Sequence, residues 1–139
     1  VGEHTLNNID NADKEEFETS FKIHVTTVFL TAMTFANHLE ESNGSIVNMG
    51  YSTAFNPIEE ALSFQVAKGA LHTLTKVLNV ELENVRANVV LPFPRMDFPS
   101  NRRQFPDEDF DKWTDPEDVN DTIGYLLSND SVEDTFVRI

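Results

Sequence analysis

The chain has 139 residues, the length of one domain, with 10 Lys+Arg against 24 Asp+Glu and a formal net charge of -14. That balance opposes nucleic-acid binding through phosphate neutralisation, while 40% hydrophobic and 24% charged residues are ordinary globular usage and exclude a disordered acidic tail. The lack of cysteine excludes disulfides, thiolate metal sites and cysteine nucleophiles.

No apolar run approaches the roughly 18 residues of a membrane span. Val1 to Asp13 has neither a basic start nor an apolar core, so the expectation is an intracellular protein, cytoplasmic or in an organellar matrix, and not a secreted one. Val1 to Asn11 is rich in Asn and offers one short strand at His4 to Leu6. A helical period begins at Asp13-Lys14-Glu15-Glu16, whose acidic residues suit a helix amino terminus. Phe17, Phe21, Val25, Val28, Ala32, Phe35 and Leu39 then recur at three and four residues, which predicts a helix over 13–39 with one apolar stripe. Ser42-Asn43-Gly44 stops it.

Ser45-Ile46-Val47-Asn48-Met49 is too short for a helix and β-branched at its centre, so it predicts a strand of a parallel sheet, buried on both faces. Asn56-Pro57-Ile58-Glu59 supplies a capping side chain, a proline for the first helical position and an acid for the first turn. A long helix is expected over 57–84, with a small-residue middle at Ala67-Lys68-Gly69-Ala70. Ala87 to Leu91 predicts a second strand, ended by Pro92-Phe93-Pro94 because proline cannot donate to a ladder. Residues 92–113 hold four of the six prolines and several aromatics, and read as a long functional loop with one or two helical turns. Thr114-Asp115-Pro116-Glu117 has the form of a capping box before a helix with Val119, Ile123, Leu126 and Leu127 on one face. Thr135 to Ile139 closes the chain as a strand. Helices alternating with strands imply an α/β sandwich with a short parallel sheet of three or four strands, one partial domain over 1–139.

These residues carry a family likeness. Gly44-Ser45-Ile46-Val47-Asn48-Met49, then Ala67 to Lys76, then Val80-Glu81-Leu82, then Val89-Val90-Leu91-Pro92 and Trp113 to Val119 resemble the carboxyl-terminal half of short-chain dehydrogenase/reductases. Leu91-Pro92, Asp97, Pro99, Asn101-Arg102, Pro106, Asp109-Phe110 and Trp113-Thr114 look most like dihydropteridine reductases. The resemblance implies a truncated Rossmann-like three-layer sandwich without the family's first strands and glycine-rich turn, since the five glycines form no such turn. Leu6-Asn7-Asn8-Ile9-Asp10 is similar to the family's Asn-Asn-Ala-Gly segment with Ala-Gly replaced.

In the family, a tyrosine and a lysine four residues later share a helix face, and the ammonium lowers the phenol pKa for proton exchange during hydride transfer. Here the pair reads Phe64 and Lys68, and Phe64 has no proton to give. The family's serine aligns with Tyr51 or Ser52, and its helix asparagine with His24. The resemblance thus leaves Lys68, Tyr51 and Ser52 as vestiges of the catalytic set, and Lys68 and Pro92 as vestiges of the cofactor site. His4, His24, His38 and His72 lack metal-ligand spacing and the carboxylates are scattered, so no metal is expected.

The expectation is therefore a catalytically degenerate dehydrogenase-like protein serving as a structural or assembly subunit, without a cofactor. A protein partner or second copy would cover the open sheet edge and the helices over 13–39 and 57–84. The alternative is part of an NAD(P)H-dependent reductase, similar to dihydropteridine reductase, whose cofactor-binding half lies outside these residues.

Overall fold

The computed structural model describes residues 6–139. The apolar stripe over 13–39 becomes a nearly unbroken rod: α1 (Lys14–Phe21), a π-helical segment (Lys22–Thr26) and α2 (Thr27–Ser42). Asp13 caps α1 by accepting the Glu16 amide at 3.0 Å. Asn43 ends α2 in the left-handed conformation at φ 51°, a backbone state Asn tolerates better than most residues. The π segment was not legible in the periodicity. It widens one turn and sets the His24 ring edge-on to Phe64, with centroids 5.3 Å apart.

Strand β1 (Ser45–Met49) runs parallel to β2 (Arg86–Leu91), with Ser45 opposite Arg86 and Met49 opposite Val90. Strand β3 (Phe136–Arg138) runs parallel to β2 on its other side, with Val89 opposite Phe136. The sheet is shorter at its end than 135–139 predicts, although Val89 and Leu91 still bond to Thr135 and Ile139. Among the described residues β1 has one strand neighbour, so no described strand pairs its other edge. The strand expected at His4 to Leu6 lies outside the described residues except for Leu6, which is in no strand.

Helix α3 spans Leu62–Glu81 and not 57–84. Asn56 and Pro57 do not start it: residues 57–61 form a loop with Glu60 at φ 58°. The cap comes instead from the buried Asn7. Its Oδ1 accepts the Ser63 amide at 3.1 Å, its backbone carbonyl accepts the Leu62 amide at 3.1 Å, and its Nδ2 donates to Ser63 Oγ at 2.7 Å and Glu16 Oε1 at 2.8 Å. Gln65 holds the loop against the helix, accepting the Ile58 amide and donating to the Ile58 carbonyl. A local capping signal lost to a partner 56 residues away, which satisfies the same orphan donors and is shielded from water. At the far end Leu82 turns extended, three residues short of the predicted limit. The small-residue middle also divides: Ala67 is fully buried, whereas a Cβ on Gly69 would meet nothing within 4 Å.

The helices sandwich the sheet. Ala87, Val89 and Leu91 are buried on the α3 side, where Asn79 clasps both polar groups of Ala87. Val90 packs on the other side against Val119 and Leu126 of α5 (Pro116–Ser128), with Val47, Met49 and Val137 around them. Asp115 caps α5 by accepting the Glu117 amide at 2.8 Å. Thr114 is not the cap, because its buried hydroxyl is engaged with Phe93 and Ile139. The loop over 92–113 carries α4 (Pro99–Gln104) and a 3-10 turn (Phe110–Lys112), the expected helical turns. No described helix is long and apolar enough to cross a membrane.

Candidate active-site cavity

A cavity of about 370 Å³ opens where β1 and β2 end, between the first half of α3, the π segment and the loop over 92–113. Its size suits a small molecule, and the carboxyl ends of parallel strands are where open α/β sheets bind ligands. Lys68, Tyr51, Phe64, Pro92 and His24 all line it, so the structure brings together four of the residues singled out from sequence with the histidine beside them.

Phe64 and Lys68, four apart on α3, share its cavity face. Lys68 is 7% exposed; its Nζ donates to the Met49 carbonyl at 2.7 Å and lies 5.5 Å from the Phe64 ring centroid. Burial pulls its pKa down to about 8, since desolvation disfavours the charged form. Among the described residues no carboxylate lines the cavity to oppose that effect.

Tyr51 stacks edge-on to Phe64 at 5.2 Å, and its hydroxyl donates to the Pro94 carbonyl at 2.5 Å. Burial raises the phenol pKa, opposed by the Arg95 charge and aided by Glu108. The phenol is thus neutral, with its proton held by the backbone. Ser52 is the correction: it is buried away from the cavity, and its Oγ finds no hydrogen-bond partner among the described residues. Of the two residues aligned with the family's serine, Tyr51 lines the cavity and Ser52 does not.

Gly50 has a steric cause. A Cβ there would lie 2.4 Å from Val89 Cγ1 and 2.5 Å from His72 Nε2, so the strand end and the imidazole close on bare backbone. His72 Nε2 accepts the Tyr51 amide at 3.3 Å, and the ring packs against Phe55 and Phe136. Burial, with repulsion from Lys68 and Lys76, lowers its pKa to about 4. The histidine is neutral and packed into the fold.

The loop wall is built from pairs that sequence reasoning did not single out. Arg95 forms two bonds to Glu108, at 2.7 and 3.0 Å, and its guanidinium sits 3.5 Å from the Phe105 ring centroid. Trp113 Nε1 donates to the same carboxylate at 3.1 Å. Hydrogen bonding from Arg95 holds the Glu108 carboxyl below its ordinary range. Arg102 and Asp97 form a second pair, and Arg102 lies over Phe110. These clamps set Met96, Phe98 and Gln104 as the cavity's outer wall. A thirteen-residue Arg-to-Glu spacing follows no periodicity; the only sequence sign was the interleaving of aromatics with charges.

A nicotinamide nucleotide would need a backbone cradle for its pyrophosphate. Among the described residues no glycine has positive φ, Gly69 and Gly124 lie within helices, and Gly44 and Gly50 are closed by Leu39 and Val89. Lys68 and Pro92 stand in the cavity, but the described residues do not fit the rest of that group. Nor does any group of three His, Asp or Glu among them suit a metal ion.

Comparison with known proteins accords with this geometry. A family model described as enoyl-(acyl carrier protein) reductase matches residues 2–133. The chain belongs to this short-chain dehydrogenase/reductase family. It is 29% identical over 135 residues to a 7alpha-hydroxysteroid dehydrogenase of Clostridium sardiniense, covering 89% of this chain and 52% of that protein. An uncharacterized oxidoreductase of Staphylococcus aureus (strain MW2) is 22% identical over 132 residues, covering 94% and 57%. The chain thus spans about half the length of these curated relatives. Among solved structures, a short chain dehydrogenase/reductase family protein superposes with a TM-score of 0.91 at 22% identity, over 100% of this chain and 62% of the other. A 4-hydroxyisoleucine dehydrogenase complexed with NADH gives 0.89 at 21% identity, over 100% and 63%. These likenesses establish the Rossmann-like three-layer fold.

Proposed function

We propose that the protein is catalytically degenerate as a dehydrogenase and uses its cavity to bind an apolar carbonyl compound or alcohol, within an assembly that covers its open faces. The observation that carries this reading is Phe64. A phenyl ring stands beside Lys68 where the family places the proton-exchanging phenol, and the nearest phenol, Tyr51, donates its proton in a hydrogen bond to the Pro94 carbonyl. The assembly role is supported by exposed Phe29, Met33 and Phe35 on α2, Val80 on α3 and the edge of β1 that no described strand pairs. Native mass spectrometry on protein from its own source, with and without NADH, tests it. The reading requires a complex with other chains and no cofactor-sized increment; a lone chain that takes up NADH would count against it.

A second reading has one specific observation behind it. Tyr51 keeps a phenol in the same cavity as Lys68, so an NAD(P)H-dependent reductase, similar to dihydropteridine reductase, would use Tyr51 in place of the family's tyrosine. That reading requires Tyr51→Phe to abolish turnover and Phe64→Tyr to be dispensable. On the first reading neither variant gives turnover.

A further inference from the structure

We infer that Lys68 is a carbonyl-reactive amine: it condenses with an aldehyde or unhindered ketone bearing an apolar body to form an imine in the cavity beneath the 92–113 loop. The geometry supplies each requirement. The amine is buried yet lines an open cavity of about 370 Å³ whose wall is mostly apolar, with Phe64, Tyr51, Phe98, Met49 and Met96 beside the polar Ser100, Asn101 and Gln104. A nucleophilic amine needs a free lone pair, which a partnering carboxylate would remove by holding the ammonium form. Here the hydrogen-bond partner is the Met49 carbonyl, 2.7 Å away, which a neutral amine satisfies equally well with one N–H. That bond anchors the nitrogen and leaves the lone pair free to face the cavity.

Among the described residues, the charged and titratable groups around Lys68 are His24 on the π segment, Tyr51 after β1, His72 on α3 itself and Arg95 on the loop. Glu108, the nearby acid on the loop, is spent on Arg95 and Trp113. Burial holds the pKa at about 8, so roughly a tenth of the side chain is neutral at pH 7, against about three in ten thousand for a lysine at the ordinary value of 10.5.

The step balances without an oxidant or reductant. The nitrogen lone pair bonds to the carbonyl carbon while the C=O π pair moves to oxygen, and a proton passes from nitrogen to that oxygen to give a carbinolamine. The C–O bond then breaks, hydroxide takes the second nitrogen proton, and water leaves as C=N forms.

This inference rests on the reading that the cavity binds apolar carbonyl compounds, and two experiments separate their failures. Binding of benzyl alcohol, which cannot condense, reports the cavity alone. The protein is then incubated with benzaldehyde and sodium cyanoborohydride, and adducts are located by intact mass and peptide mapping. The expected result is a single benzyl adduct on Lys68, formed at least about tenfold faster than on exposed Lys14, Lys22, Lys76 and Lys112, with a rate that rises through pH 8. Lys68→Arg removes the selective adduct. If that variant does not fold, mapping and the pH profile of the wild-type protein decide alone. Adducts spread over the exposed lysines, or none on Lys68, overturn the inference even where benzyl alcohol binds.

Discussion

Replacing Lys68 by Met should stabilise the protein at neutral pH. The unfolded lysine titrates at its ordinary value of 10.5 and the folded one at about 8, so the unfolded state binds more protons between those values. Stability therefore rises as pH climbs from 8 to 10.5, and below 8 the full penalty for burying the ammonium is present, about 3 kcal/mol for that difference. Met fills nearly the same volume without charge, but it forfeits the bond to the Met49 carbonyl, a loss of about 1 kcal/mol. The net gain is about 2 kcal/mol at pH 7, a rise of about 1 M in urea midpoint. By pH 10.5 the penalty has vanished and the variant is the less stable protein by about 1 kcal/mol. Urea denaturation followed by far-ultraviolet circular dichroism at both pH values reads this crossover. A variant destabilised equally at pH 7 and 10.5 refutes the buried, uncompensated ammonium.

The acid side of the profile belongs partly to His72. Its folded pKa of about 4 lies below the ordinary 6.5, so stability is complete above 6.5 and falls as pH drops towards 4; His72→Gln should flatten that part of a urea-midpoint series. Asn7→Ala removes the α3 cap and leaves buried Ser63 groups unpaired, which should cost about 2 to 3 kcal/mol in the same assay; an unchanged midpoint would deny the long-range cap. Glu108→Gln weakens the Arg95 clamp, so amides over 95–113 should exchange faster with deuterium and benzyl alcohol should bind several-fold more weakly.

The strands and helix faces were legible because their causes are local. Five residues of β1 carry their own β-branched, charge-free signature, and the prediction of Ser45 to Met49 matches the observed strand. The stripe on α1 and α2 likewise follows from spacing alone. What failed was capping, where the decisive partner was distant: Asn56-Pro57 is a sound local signal, but Asn7 reaches across 56 residues to claim the α3 donors. At α5 the capping segment was right and the residue wrong by one, because Thr114 was recruited by Phe93 and Ile139. For the site, the Phe64–Lys68 spacing placed both side chains on one helix face. That Tyr51 and not Ser52 lines the cavity required the packing around Gly50 to be known, since one residue of register decides which side chain reaches it. The Arg95–Glu108 clamp had no pattern to betray it.

The account turns on whether hydride moves in this cavity. NADH carrying deuterium at the transferable nicotinamide position is offered to the native-source protein with a panel of apolar aldehydes and ketones, and products are examined by mass spectrometry for deuterium on carbon. With Phe64 beside Lys68 and the Tyr51 proton held by Pro94, the wild-type protein should transfer none. Deuterated alcohol formed by the wild-type protein, and lost in Tyr51→Phe, would contradict the degenerate reading and restore the reductase.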